Sequence, residues 1–327
     1  MGFSLFEGKN FRTDYFGGMR MMIMIFCIFV ALVLLGSYWS YRIAFYSPAK
    51  DRDQVVKPKD PQYDPYRQEM RRLYQQLKDR PCEFVSTQSH DGLKLTGRYY
   101  HVRDGAPLDI CFHGYRSHPL TDFSGGTELS FQMGHNVLLI DERAHGRSEG
   151  KTISFGILER LDLPCWVNYA IERFGDQVQI FLFGVSMGGA TVLMASDLDF
   201  PPNVKAIIAD CPYAKPLDVI YHVGKSTSFP NWMIKPFSIL AARIYGNFDI
   251  LETDAVRAVQ HAKVPVLIIH GEDDRYVPCE MSEAVEQANP RMVRRFTFPG
   301  AAHGISYLVD TARYHRIVKD FLRDVTA

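Results

Sequence analysis

Residues Ile180-Phe181-Leu182-Phe183-Gly184-Val185-Ser186-Met187-Gly188-Gly189-Ala190 join an apolar run to a Gly-x-Ser-x-Gly pentapeptide and then to good helix formers. The run is β-branched and aromatic and too short for an ordinary helix, so it reads as a buried strand. Strand, sharp turn and helix in succession are the setting in which such a serine is raised above a sheet as a nucleophile. Gly184 and Gly188 are expected to be required, because a Cβ at either position would collide with the neighbouring strand or helix. The Ser186 hydroxyl then stands at a helix N-terminus, where backbone N–H groups and the helix dipole favour negative charge.

The chain has 327 residues, 46% of them hydrophobic, which is ample for one large core. Lys+Arg and Asp+Glu balance at 37 each, so no overall field points to nucleic acid or to a strongly charged partner. No internal repeat or low-complexity tract is present, which argues against solenoids and disordered scaffolds.

Between Arg20 and Arg42 the sequence MMIMIFCIFVALVLLGSYWSY carries no charge and gathers Tyr38, Trp39 and Tyr41 at its far end. Its length matches a spanning helix, and the aromatic cluster suits a membrane interface. A cleaved signal peptide fits less well, since a polar stretch precedes the run and no small-x-small site follows it. Residues 1–20 are expected as a tail and 21–41 as a single-pass anchor. Lys9, Arg12 and Arg20 precede the span, while Arg42, Lys50, Arg52, Lys57 and Lys59 follow it, a count that leans towards a cytoplasmic catalytic domain.

Residues 42–80 are expected as linker and amphipathic helix: Ser47 to Pro65 is Pro-rich and charged, and Tyr66, Met70, Leu73, Tyr74 and Leu77 then fall at helical spacing. Of the six cysteines, Cys27 lies in the span and Cys111 and Cys211 lie in or beside strand patterns. With no C-x-x-C pair and no metal-ligand spacing, most are expected to be buried thiols, and no metal site is expected.

Strand patterns recur at Glu83 to Thr87, Leu93 to His101, Leu108 to Phe112, Val137 to Asp141, Ile180 onward, Val204 to Asp210, Val264 to His270 and Val293 to Phe298. His90-Asp91-Gly92 marks a hairpin between the first two. Helices are expected from about Phe155 to Phe174, after the elbow, from about Glu280 to Ala288 and from about Ile305 to Val325. Alternation of this kind implies a mostly parallel sheet with helices on both faces, with chemistry at the C-terminal strand ends.

Three loops at those ends carry the candidates: His113-Gly114-Tyr115-Arg116, Gly271-Glu272-Asp273-Asp274-Arg275-Tyr276-Val277-Pro278 and Pro299-Gly300-Ala301-Ala302-His303-Gly304. With Asp141-Glu142-Arg143-Ala144-His145-Gly146-Arg147-Ser148-Glu149-Gly150, they make the chain from about Cys82 to Ala327 resemble the α/β-hydrolase family. The resemblance is to the branch of serine aminopeptidase-like hydrolases, monoacylglycerol lipases and bacterial membrane-anchored relatives.

It implies an α/β-hydrolase fold over residues 81–327, with a small cap at about 212–263, and hydrolysis of an ester or amide without metal or organic cofactor. It also pulls the catalytic domain to the extracytoplasmic side, against the charge count.

On the family pattern Ser186 is the nucleophile, His303 the base that takes its proton, and Asp274 the carboxylate that orients the imidazole. Asp273 is the adjacent rival, and Asp210, closing the strand that follows the elbow, is a rival at a position where some family members place their acid. His113, His145 and His270 read as hydrogen-bonded structural histidines.

The backbone N–H groups of Met187 and Tyr115 are the expected oxyanion donors, a role that needs no particular side chain. The Arg116 side chain and the Tyr115 hydroxyl are available to touch substrate. Apolar residues between Cys211 and Lys263, among them Phe229, Trp232, Ile234 and Phe237, either line an acyl pocket or glue the cap to the body.

The expected activity is a membrane-anchored serine esterase acting on small or lipid-like esters, with an amidase or peptidase on the same residues as the alternative. A non-catalytic binding protein that kept the fold is disfavoured, because every catalytic position holds a competent residue.

Overall fold

In the computed structural model, which describes residues 11–48 and 61–327, eight strands hydrogen-bond into one sheet. They are β1 Glu83–Gln88, β2 Lys94–Tyr100, β3 Leu108–Phe112, β4 Asn136–Asp141, β5 Ile180–Val185, β6 Val204–Asp210, β7 Val266–Gly271 and β8 Val293–Phe298. Their order across the sheet is β1-β2-β4-β3-β5-β6-β7-β8. β1, β2 and β4 pair antiparallel, and every pairing from β4 to β8 is parallel. The expected hairpin joins β1 to β2, with Gly92 at φ 91° and the Ser89 hydroxyl accepting from Leu93 N–H at 2.8 Å.

β3, β4 and β7 are buried along their whole length, as strands covered on both faces must be, whereas the edge strand β8 alternates between buried and open positions. One face is covered by helices Leu163–Phe174, Met187–Met194, Ala255–Val259 and Cys279–Ala288, through Trp166, Ala190, Leu193, Val259 and Val285. The other is covered by Arg67–Asp79, Gly126–Gln132 and Thr311–Thr326, through Leu73, Leu129, Val318 and Phe321. Leu73 and Leu77 are the buried stripe of the amphipathic helix, packed on the sheet side as its spacing implies.

Two expected helices are shorter than their periodicity suggested. The stretch from Phe155 does not become α-helical until Leu163, because Phe155 and Gly156 sit at φ 55° and 88° and the buried Glu159 carboxylate takes the N–H groups of Ser154 and Gly156. The last helix breaks at Asp310, whose side chain accepts from Arg313 N–H and starts Thr311–Thr326 anew. Within the expected cap lie helices Pro216–Gly224 and Asn231–Ala241.

The helix Phe11–Ser40 leads into a π-turn, Tyr41–Phe45, and the run Gly18–Phe45 is long and apolar enough to cross a membrane. At about 1.5 Å per residue, its 28 residues reach roughly 42 Å. Its apolar side chains from Met21 to Leu35 are mostly exposed, and Tyr38 and Trp39 are exposed at its end. Its last two turns lie along the helix Asn231–Ala241: Gly36 faces the Phe237 ring, and Tyr245, just beyond that helix, donates its hydroxyl to the Leu34 carbonyl at 3.0 Å.

Residues 42–48, expected to begin the linker, are instead built into the hydrolase domain together with Tyr41 at the end of the expected anchor, because Tyr41 and Phe45 turn their rings into the core. Residues 49–60 of the expected linker and 1–10 of the tail lie outside the described residues, while the end of the linker, Pro61–Tyr66, is a short helical turn with Tyr63 buried.

The elbow glycines are dictated by close backbone approach. A Cβ on Gly184 would overlap the Gly188 carbonyl, and one on Gly188 would overlap the Phe112 carbonyl of β3. Neither obstacle is a side chain that can swing away. Gly188→Ala is therefore expected to cost at least about 3 kcal/mol of overpacking. Thermal unfolding should show a midpoint several degrees lower, and an unchanged midpoint would contradict this packing.

Candidate active site

Ser186 leaves β5 at φ 56° and ψ −113°, in a backbone region that non-glycine residues seldom occupy. Its N–H is fixed to the Asp210 carbonyl at 2.8 Å, so the turn is anchored to β6. The strain is held there by the surrounding sheet, and the Ser186 side chain makes no cap hydrogen bond to the helix it starts.

Ser186 Oγ lies 2.9 Å from His303 Nε2, and His303 Nδ1 donates to Asp274 Oδ2 at 2.6 Å. Asp274 Oδ1 accepts the N–H groups of Tyr276 and Val277, each at 2.9 Å, so both carboxylate oxygens are engaged. His270 Nε2 lies 3.3 Å from Asp274 Oδ2 and donates to the Val277 carbonyl at 2.9 Å. Burial opposes charge on Asp274, but His303, His270 and the Val277 N–H outweigh it and hold the carboxyl well below the usual range. Burial likewise opposes charge on His303, and the Asp274 carboxylate overcomes it, so the imidazole is more basic than usual.

The structure thus brings Ser186, His303 and Asp274 into one hydrogen-bonded array and leaves both rival acids outside it. The Asp273 N–H is tied to the Ala301 carbonyl, and Asp210 Oδ2 accepts the Tyr314 hydroxyl at 3.1 Å.

The loop opposite is Gly114-Tyr115-Arg116-Ser117. Asp122 accepts Gly114 N–H at 2.6 Å and the Ser117 hydroxyl at 2.5 Å, and His145 Nε2 accepts Arg116 N–H at 3.0 Å. His113 accepts Glu142 N–H at Nε2 and donates from Nδ1 to the Gly114 carbonyl, while His145 donates from Nδ1 to the Arg143 carbonyl. Each imidazole is thereby a neutral structural bridge, and burial holds His113 below the ordinary histidine range. The Tyr115 N–H has no acceptor among the described residues, and it stands between these fixed neighbours.

The Asp141 to Gly150 motif also finds its reason here. Asp141 takes Arg98 at 3.1 Å and Arg147 N–H at 3.1 Å, and a Cβ at Gly146 would overlap its carboxylate. The loop so folded is what presents His145 to Arg116.

The side chains left available to substrate by the sequence are otherwise engaged. The Tyr115 hydroxyl donates to the Ala44 carbonyl at 2.8 Å, and the Arg116 guanidinium donates to the carbonyls of Ile43 and Tyr46 at 2.7 and 3.0 Å. In the stretch expected as a cap, Phe237 packs on Gly36 and Phe229, and Ile234 packs on Gly224, while Trp232 is 78% exposed. Phe237 and Ile234 thus pack between helices, on Phe11–Ser40 and Pro216–Gly224, whereas Phe229 meets the Phe237 ring.

Three contributors had no sequence signal. Asp122 fixes the Tyr115 loop, Tyr63 donates its hydroxyl to the His303 carbonyl at 3.1 Å, and Cys211, at φ 46°, places its sulfur 4.0 Å from His303 Nε2. Burial pushes the Cys211 thiol well above its ordinary range. The cysteines are all free thiols; Cys111 and Cys211 are buried, and Cys82, Cys165 and Cys279 are only partly covered.

Fold and site together define an α/β enzyme of the serine-hydrolase class, and comparison with known proteins agrees. The family model described as "Serine aminopeptidase, S33" matches residues 110–248. The chain is 37% identical over 285 residues to a bifunctional esterase/perhydrolase of Acinetobacter calcoaceticus, covering 73% of this chain and 98% of that one. It is 24% identical over 304 residues to the protein YqkD of Bacillus subtilis, covering 93% of this chain and 97% of the other. Among solved structures it resembles an esterase of Pyrococcus furiosus, with a TM-score of 0.64, 22% identity and coverage of 84% and 97%. The chain belongs to the α/β-hydrolase family.

Asp210 provides a pH test of the site's surroundings. Burial pushes its carboxyl up to about 6, against the opposing pull of His270 and the Tyr314 hydroxyl. A raised pKa means that its contribution to stability is complete in acid and is lost as pH rises through that value. Asp210→Asn should therefore gain stability relative to wild type between about pH 4 and pH 7, on the order of 3 kcal/mol for a shift of this size. Thermal midpoints across that range check it; a difference that stays constant with pH would contradict it.

Proposed function

We propose that this serine hydrolase is anchored to a membrane by the helix within Gly18–Phe45 and cleaves carboxylic esters of small or lipid-like acyl substrates through an acyl-enzyme. What carries the proposal is the continuous array from Ser186 Oγ through both nitrogens of His303 to Asp274 Oδ2, at 2.9 and 2.6 Å.

As Ser186 attacks the substrate carbonyl, its proton passes to His303 Nε2. The imidazolium so formed is stabilised by Asp274, which stays ionised. The carbonyl oxygen becomes an oxyanion, met by the N–H groups of Met187 and Tyr115, and collapse of the tetrahedral species expels the alkoxide with the His303 proton. Water then repeats the sequence on the acyl-enzyme with His303 again as base. Each oxyanion donor is worth about 3 to 4 kcal/mol in such reactions. The ester reading is supported by the esterase names of the relatives, and the anchor by the length and exposure of the apolar helix.

A peptidase or amidase reading uses the same steps with an amine leaving group, and the serine aminopeptidase description of the matching model favours it. Turnover of matched p-nitrophenyl ester and aminoacyl p-nitroanilide substrates separates the two. The proposal expects the ester to be strongly preferred.

Because protonated His303 cannot accept the serine proton, activity should rise with pH through a histidine pKa above the ordinary value of about 6.5. Ser186→Ala should abolish both turnover and fluorophosphonate labelling. Asp274→Asn should lower kcat by about four orders of magnitude, as neutralising the carboxylate does in serine-protease triads, and should move the acid limb of kcat/KM to lower pH. Unchanged turnover in either variant would refute these roles. Protease shaving of intact cells tests the side of the membrane, with loss of the domain expected for the extracytoplasmic placement that the family resemblance implies.

A further inference from the structure

The chain that leaves the apolar helix does not hang from the catalytic domain as a tether. Ile153 N–H donates to the Phe45 carbonyl and Ser47 N–H to the Lys151 carbonyl, both at 2.8 Å, and Tyr46 pairs with Thr152 in an antiparallel bridge. The Tyr41 hydroxyl meets Thr152 Oγ1 at 2.8 Å, and the Ser47 hydroxyl donates to the Ala144 carbonyl at 2.7 Å. Phe45 is fully buried, edge-on to Phe155 and Phe248 with ring centroids 5.7 and 5.5 Å away. Phe155 in turn stacks on Tyr115, at 4.8 Å and 26°.

These contacts converge on the peptide that bears the second oxyanion donor. Arg116 holds φ at 50°, a left-handed conformation that a non-glycine residue keeps only when its surroundings impose it. Three carbonyls of residues 43–46 hold the side chains at this point: Ala44 takes the Tyr115 hydroxyl, and Ile43 and Tyr46 take the Arg116 guanidinium. From the other side, Asp122 and His145 hold the N–H groups of Gly114 and Arg116. Among the described residues, the Tyr115 N–H between them meets no acceptor.

We propose that residues 41–47 are a positioning element of the active site, gripping Tyr115 and Arg116 so that the Tyr115 N–H is held in place to meet the oxyanion formed at Ser186. This rests on the reading of the Tyr115 N–H as an oxyanion donor. The segment that fastens the apolar helix to the domain therefore also completes the catalytic apparatus. Displacements of about 1 Å in such groups can cost about a hundredfold in rate, so a grip on both neighbouring side chains is of catalytic consequence.

The test uses the full-length protein in lipid nanodiscs and the double variant Tyr115→Phe/Arg116→Met, which keeps the stacked ring and the side-chain stem but removes the donors to residues 43, 44 and 46. Active sites are counted by fluorophosphonate titration, and turnover is measured on a p-nitrophenyl ester. The proposal expects kcat per active site to fall about tenfold to a hundredfold, KM to stay within about twofold, and a trifluoromethyl ketone inhibitor to weaken by the same factor as kcat. The pH midpoint set by His303 should not move.

A wild-type kcat per active site with unaltered inhibitor binding would overturn the proposal, as would a loss of activity accompanied by a shifted pH midpoint. If the double variant does not fold, Tyr115→Phe alone decides, with an expected loss of about threefold to tenfold and an unchanged kcat as the contrary result. Ser186→Ala, measured alongside, keeps the two readings apart: an active Ser186→Ala enzyme defeats the acyl-enzyme mechanism, whereas an inactive one beside a fully active double variant defeats only the positioning role.

Discussion

A carboxylate kept ionised inside the protein is the constraint that shapes the whole site. Asp274 has no solvent to stabilise its charge, and it is ionised only because two backbone N–H groups and two imidazoles surround it. That charge makes His303 more basic than a buried histidine would otherwise be, and it fixes the tautomer with its free nitrogen towards Ser186. Without it, burial alone would leave a weakly basic imidazole beside the Ser186 hydroxyl.

The sheet explains why these groups meet. β5, β7 and β8 are parallel, so their C-terminal ends lie along one edge, and the loops that leave them carry Ser186, Asp274 and His303. The loop after β3, next to β5, adds Tyr115 on the far side of the serine. The N-terminal flank then braces two of these loops from outside, with residues 41–47 against Tyr115 and Arg116 and Tyr63 against the His303 carbonyl. A region that resembles an anchor and linker is thus in part scaffold for the site.

Much of this is legible in the sequence, for reasons that differ from one feature to another. The buried strands announce themselves as short apolar runs, and the elbow by two glycines whose need is purely steric. The three loop motifs fall in a fixed order along the chain, and that order with the family pattern is enough to single out Ser186, Asp274 and His303, which the structure joins in one hydrogen-bonded array. What stays hidden depends on contacts between remote segments. Nothing in Asp122 marks it as the acceptor for Gly114, and the aromatic residues Tyr41 and Phe45 carry the same composition whether they face headgroups or a protein core. Periodicity also overruns the true helix between Phe155 and Leu163, because the carboxylate that stops it, Glu159, looks in sequence like any helical glutamate.

Asp274, acting through His303, is held to turn Ser186 into a nucleophile that is transiently acylated. Rapid quenching of full-length enzyme during turnover of a slowly deacylating ester, followed by peptide mass spectrometry, puts that mechanism to the proof. The acyl mass should appear on the peptide containing Ser186 in wild type and be missing at the same time point in His303→Ala. An acyl group on another residue, or turnover with no acylated peptide at any time, would show that the mechanism is wrong.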